Sequence, residues 1–251
     1  MGRGIAPDGS GYPQRVRRAD ELAAAELVVT AVARTAVTDC CSPTGYRWAF
    51  SERRARREAR RYELRGLDAT SRRIVELLKL HGVEGLTLLE VGGGVGAVQI
   101  ELLKAGVARA VSIEMTPTYE TAAGDLLRKA GLEDRVERKL MDFAEADADV
   151  EAADIVIMNR VICCYPDMPK LVGVAAAHTR QVLVLSFPRE TWWTRQGLSL
   201  ANLVLRIARR GFQVFVHRPE RILATAEDNG LTATLNQSGV FWQVAAFRRL
   251  G

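Results

Sequence analysis

The sequence predicts a doubly wound α/β fold, and three observations carry that prediction. From Leu86 onward, short apolar runs alternate with amphipathic stretches at helical spacing. Alternation of this kind lays strands parallel in one sheet and covers both of its faces with helices. A glycine cluster, Gly92-Gly93-Gly94 and Gly96, ends the first run and opens the next helix. The last two runs, 231–236 and 240–247, are separated only by Gln237-Ser238-Gly239. They therefore read as an antiparallel hairpin that closes the sheet.

The elements before the sheet follow from punctuation. Residues 1–17 hold Gly2, Gly4, Pro7, Gly9, Gly11 and Pro13 with almost no apolar pattern, the composition of a disordered tail. Residues 18–84 read as a helical extension, placed to serve as a lid. Its first helix spans about 20–37. Ser51 caps the second, whose Ala55, Ala59 and Tyr62 share one side and whose stop is Gly66. Asp68 or Thr70 opens the third, with Ile74, Leu77 and Leu78 facing inward and Gly82 ending it.

The main domain spans 85–251. Strands are expected at 88–91, 110–113, 136–140, 155–158 and 182–185, with helices at 97–103, 118–129 and 168–178 between them. Residues 187–218 interrupt the alternation as an insertion. Within it Leu200, Leu203, Val204 and Ile207 recur at helical spacing, which predicts a helix with one buried stripe. Trp192 and Trp193 fit either a pocket for a flat acceptor or packing onto the sheet. A last helix runs from Pro219 to near Gly230, ahead of the hairpin.

Composition narrows the class. Hydrophobic residues make up 48% and charged residues 26%, a globular balance. Glu26 and Arg34 interrupt the alanine- and valine-rich stretch 22–37, so no run reaches the roughly 18 apolar residues of a membrane span. That stretch also lacks the order of an export signal, and the expected setting is cytoplasmic. The cysteines form two adjacent pairs, Cys40–Cys41 and Cys163–Cys164. Adjacent cysteines lack the spacer of a zinc half-site, and no carboxylate or histidine cluster accompanies them. Reduced thiols and no metal are the expectation; the alternative is convergence of the four thiols on a soft metal or a thiophilic acceptor. The formal charge of +5 concentrates in nine arginines between Arg53 and Arg73. That run reads as the solvated face of a helix or as a nucleic-acid contact. Tyr62 gives little aromatic interleaving for base stacking.

The chemistry concentrates at Glu90-Val91-Gly92-Gly93-Gly94-Val95-Gly96. Glycines let the backbone turn sharply and approach a ligand, and the free N–H groups of the next helix face the same space. The turn by itself also satisfies a dinucleotide fingerprint. Three features decide against a nicotinamide cofactor. Glu114 ends the second strand, where it can hold a ribose diol. Asp142 and Phe143 follow the third, where they can take an adenine amino group and stack its ring. The terminal hairpin is not how a dehydrogenase sheet usually ends.

On these motifs the region from about 67 to 249 resembles the class I S-adenosylmethionine-dependent methyltransferases. The resemblance implies a Rossmann-like seven-stranded sheet with its last strand antiparallel. It implies Gly92, Gly94 and Gly96 around the methionine end of S-adenosylmethionine and Glu90 toward its amino group. Glu114, followed by Met115, would hold the ribose, and Asp142 with Phe143 the adenine. Asn159 and Arg160 would border the methyl group. In layout, Phe187-Pro188-Arg189 and the insertion are similar to magnesium-protoporphyrin O-methyltransferases.

The expected function is methyl transfer to an oxygen, nitrogen or carbon nucleophile of a small organic acceptor. An RNA methyltransferase and a non-catalytic cofactor-binding module are the alternatives. His81 ends a helix, and His178 precedes the fifth strand, at the end of the sheet away from the cofactor. His217 stands just before Pro219 on the cofactor side and is the expected general base. Tyr165, after the fourth strand, is expected to orient the acceptor.

Overall fold

The computed structural model describes Met1, residues 43–145 and residues 150–250. The expected tail, the helix at 20–37 and the Cys40–Cys41 pair lie outside those residues. Among the described residues three helices come first: α1 Pro43–Ala49, α2 Glu52–Arg65 and α3 Ala69–His81. They belong to the same compact unit as the sheet. Then follow β1 Thr87–Val91, α4 Ala97–Lys104, β2 Arg109–Glu114, α5 Glu120–Ala130, β3 Val136–Leu140, β4 Ala153–Asn159, α6 Met168–Ala177 and β5 Thr179–Pro188. The chain ends with α7 Trp192–Ile207, α8 Pro219–Asp228, β6 Leu231–Ser238 and β7 Trp242–Arg249.

The seven strands lie in the order β3-β2-β1-β4-β5-β7-β6. The first five run parallel, and β7 inserts antiparallel between β5 and β6. In β1, Leu88 sits between Ala110 and Ile155, and Glu90 between Ser112 and Ile157. The pleat sends successive side chains to opposite faces. Leu88 accordingly joins Ile74, Leu78, Ile100 and Val184 in a cluster under α3 and α4. Leu89 joins Val156, Leu183, Leu171 and Ile222 in a second cluster under α6 and α8. Each fully buried aliphatic side chain contributes about 1.5–3 kcal/mol.

The local signals hold with small differences. Ser51 occupies the cap position of α2 without a side-chain capping bond. Asp68 is the cap of α3, accepting from the Thr70 and Ser71 amides at 3.0 and 3.2 Å. Strand order reverses between β1 and β4, so the loops after those strands diverge and leave a crevice beyond their carboxyl ends. Gly92 and Arg160 stand at its two lips.

The stripe expected to bury α7 does not. Leu200, Leu203, Val204 and Ile207 point outward and are exposed. The helix rests on its other side instead. Thr194 is buried and Asn202 exchanges hydrogen bonds with Val214 at 2.7 and 2.9 Å. Periodicity marks a stripe; it does not say which side meets the sheet.

Candidate functional site

A cavity of about 540 Å³ opens beyond the carboxyl ends of β1 to β4. Its floor is the turn after β1. Gly92, Gly94 and Gly96 have φ of +65°, +60° and +77°, a region that side chains rarely adopt. A Cβ on Gly92 would come within 2.6 Å of Val161, and one on Gly94 within 3.1 Å of the Tyr119 ring. Backbone thus faces the cavity where a side chain would fill it.

Two carboxyls border this turn. Glu90 is 1% exposed, and one of its oxygens has no hydrogen-bond partner among the described residues. Burial, followed by the neighbouring Glu114, pushes its pKa up to about 7. Glu114 accepts from the Gly94 amide, and burial pushes its pKa up to about 7 as well. Arg138, which sequence reasoning missed, moderates both. It reaches Glu120 at 2.9 Å, Ser112 Oγ at 3.2 Å and the Gly94 carbonyl at 3.3 Å. The signal was faint: one arginine in the strand Val136–Leu140, where outward and inward charges look alike in sequence.

The loop after β3 brings Asp142, whose Oδ1 accepts from the Ala144 amide at 3.0 Å. Its Oδ2 accepts from Tyr165 Oη at 3.0 Å. Phe143 lines the wall, but its ring is 2% exposed and meets His178 edge-on at 5.4 Å. The ring is packed in the core cluster under α6 and α8, at the edge of the cavity. Met115, exposed and on the cavity wall next to Glu114, is the more accessible apolar side chain there.

The β4 lip is held by a polar chain. Ser186 Oγ donates to Asn159 Oδ1 at 2.7 Å, and Asn159 Nδ2 donates to Ser71 Oγ at 3.1 Å. Arg160 adopts φ +65°. Its guanidinium donates to Asp68 at 2.5 Å and lies 4.9 Å over the Trp242 ring. Next come Cys163 and Cys164, whose sulfurs are 3.8 Å apart and which both line the cavity. Among the described residues no group of three His, Cys, Asp or Glu could hold a metal ion.

The far end of the cavity is aromatic, with Tyr46, Phe50, Phe212, Phe241 and Trp242 on its wall. Tyr46 and Phe212 meet edge-on at 5.7 Å, as do Phe50 and Phe212 at 5.6 Å. Trp192 and Trp193, the sequence candidates for this role, are not among the lining residues; Trp193 packs 6.1 Å from Phe241. Trp242 reaches the cavity because β7 pairs antiparallel with β5, setting Trp242 opposite Pro188 at the carboxyl end of β5.

His217 does not line the cavity. Its Nε2 lies 3.0 Å from the Tyr165 carbonyl, to which it must donate, and its ring stacks on Phe215. Burial lowers its pKa, against the pull of the carbonyls of Tyr165 and Ile162. Tyr165 does line the cavity, and burial, with Asp142 beside it, pushes its phenol well above the ordinary range.

Residues 89–181 match the family described as "Methyltransferase domain". Over 95 residues the chain is 34% identical to ribosomal protein L11 methyltransferase of Pectobacterium carotovorum (strain PC1), a match covering 36% of this chain and 32% of the relative. The chain thus spans about a third of the length of the curated relatives it matches. Among solved structures it is similar to magnesium protoporphyrin IX methyltransferase of Synechocystis PCC 6803, with TM-score 0.60 and 20% identity over 72% of this chain and 82% of that one. An O-methyltransferase family protein of Burkholderia thailandensis gives TM-score 0.58 and 19% identity over 80% of this chain and 63% of that one.

Proposed function

We propose, for a chain that folds as a class I methyltransferase, that it transfers a methyl group from S-adenosylmethionine to an oxygen, nitrogen or carbon nucleophile of a small organic acceptor. The observation that carries the reading is Glu90, a buried carboxyl with an unpartnered oxygen beside a turn of bare backbone. A buried acid of this kind costs free energy until a cation or a donor meets it. The ammonium of the cofactor's methionine end is such a group, so the residues present fit it.

The other assignments follow from position. Gly92 and Gly94 would admit the methionine end, Glu114 and Met115 the ribose, and Asp142 the adenine edge; Gly96 is not among the lining residues and turns the chain into α4 behind them. Asn159 and Arg160 would border the reacting methyl. When bound, S-adenosylmethionine supplies a methyl group already activated by its sulfonium. The chain's own task is to hold the acceptor in line and keep bulk water out. The aromatic end of the cavity, shaped by Tyr46, Phe50, Phe212 and Trp242, suits a planar or apolar acceptor.

His217 is anchored to the Tyr165 carbonyl, which supports a positioning role in place of the general base expected from sequence. Tyr165 keeps its proton near neutral pH and donates to Asp142. We assign it to shaping the adenine and acceptor ends, not to proton removal. The arginines of α2 are partly spent on Arg54–Glu58 and Arg56–Glu52 pairs along the helix, which favours a solvated face over an RNA contact. No helix among the described residues is long and apolar enough to cross a membrane, and a cytoplasmic setting is part of this proposal.

The test is incubation of the protein with methyl-labelled S-adenosylmethionine and a panel of planar phenols, carboxylic acids and amines. Labelled product with at least one acceptor, lost in Gly94→Val, supports the reading. Label transferred to none of them, but to bulk RNA or ribosomal protein, removes the small acceptor.

A further inference from the structure

We propose that the outer face of α7 is a docking surface for an anionic lipid bilayer. The proposal stands apart from the methyl-transfer reading and does not need it.

The helix spans sixteen residues, about 24 Å at 1.5 Å per residue. Its outer arc presents Trp192, Trp193, Leu200, Leu203, Val204 and Ile207. The exposures are those of an uncovered surface: 78% for Trp192, 63% for Leu200 and 73% for Ile207. Scattered exposed leucines are ordinary, but six large apolar side chains on one helix face form a patch that calls for an occupant. Its inner side, with Thr194 and Asn202, is already engaged with the protein. Rotation of the helix would therefore break existing contacts rather than bury the arc.

Charge selects the occupant. From Thr191 to Pro219 the chain carries Arg195, Arg206, Arg209, Arg210 and Arg218 and no aspartate or glutamate; Arg195 lies 3.8 Å from Glu190, just before the helix. Arg206, Arg209 and Arg210 are exposed at the carboxyl end of the apolar arc. Arg210 lies 4.8 Å over the ring of Trp48, an exposed residue of α1 that extends the patch. A second copy of this face would bring no aspartate or glutamate of residues 191–219 to meet these arginines, so a self-contact lacks the complementary charge. A bilayer with anionic headgroups instead offers apolar depth for the leucines, an interfacial layer for the tryptophans and phosphate for the arginines. Leu198, on the same helix, lines the cavity. The docking face is thus the outer side of an element that walls the cavity's interior.

The test is flotation of the full chain with vesicles of pure phosphatidylcholine and with vesicles of phosphatidylcholine and phosphatidylglycerol in equal parts. The expected result is co-flotation with the mixed vesicles, weakened by raised salt, and little with the neutral ones. Leu200→Glu with Val204→Glu should reduce binding about tenfold or more, with the circular dichroism spectrum and melting temperature unchanged. Arg206→Ala with Arg209→Ala and Arg210→Ala leaves the apolar arc intact and should remove the preference for anionic vesicles. If the leucine and valine variants do not fold, the arginine variants decide. A protein that stays in the aqueous phase with both vesicles overturns the proposal. So does sedimentation showing a dimer that Leu200→Glu splits, since a second copy would then cover the face.

Discussion

The Arg160 guanidinium donates to Asp68 Oδ1 at 2.5 Å, and this bond fastens the loop after β4 to the cap of α3. Asp68 is partly buried, yet Arg160 and the Ser71 bonds hold its pKa below the ordinary value. Arg160→Ala should destabilise the protein by about 1.5–3 kcal/mol, the range for a charge-assisted hydrogen bond. Because residue 160 has φ +65°, Arg160→Gly should cost about 1 kcal/mol less than Arg160→Ala. Urea denaturation of both variants checks the order; equal losses would mean that the backbone is not strained there.

Glu90 and Glu114 predict a pH dependence with a definite sign. Their folded-state pKa values stand near 7 against an ordinary 4.5. The folded protein therefore keeps these protons longer than the unfolded chain does. Their contribution to stability is full below about pH 4.5 and falls as pH rises toward 7. Across that window the melting temperature of Glu90→Gln should decline less than that of the unsubstituted protein. A parallel decline in both would show that Glu90 is not the group being titrated.

For His217 the prediction departs from the role its sequence position indicated. With Nε2 bound to the Tyr165 carbonyl, His217→Gln should leave the pH profile of turnover unchanged in shape. It should cost about 1 kcal/mol of stability, the worth of one hydrogen bond. Loss of the lower limb of the pH profile in the variant would restore His217 as a base.

Tyr165→Phe removes the donor to Asp142 Oδ2 at 3.0 Å but leaves the carboxylate in place. Calorimetry should show a smaller loss of S-adenosylmethionine affinity for Tyr165→Phe than for Asp142→Ala, which should fall about ten- to a hundredfold. The reverse order would shift the adenine contact from Asp142 to Tyr165.

The part of the cavity proposed for the cofactor is the more legible part of this molecule. β3 is found where its sequence pattern placed it, at Val136–Leu140, and Glu90, Gly92, Gly94, Glu114, Asp142, Asn159 and Arg160 all line one cavity. Strand ends and glycine turns are local features, so sequence carries them. The aromatic part of the cavity is built from residues distant in the chain. Trp242 reaches it because β7 pairs with β5, setting Trp242 opposite Pro188, and Tyr46 through a bond to the Cys164 carbonyl. The stripe of α7 has the helical period expected of it but faces outward, since amphipathicity shows that two faces differ without showing what each one meets. His217 was placed at the right end of the sheet, but the carbonyl that claims its ring follows from loop geometry, which sequence spacing does not encode.

On the proposed function, the turn at Gly92 and its acids are a site for S-adenosylmethionine. Calorimetry with S-adenosylmethionine and with NAD, on the unsubstituted protein and on Glu90→Gln, tests it most directly. Saturable one-to-one binding of S-adenosylmethionine is expected, weakened about tenfold or more in Glu90→Gln, with no heat from NAD. Binding of NAD, or S-adenosylmethionine affinity unchanged by Glu90→Gln, would contradict it.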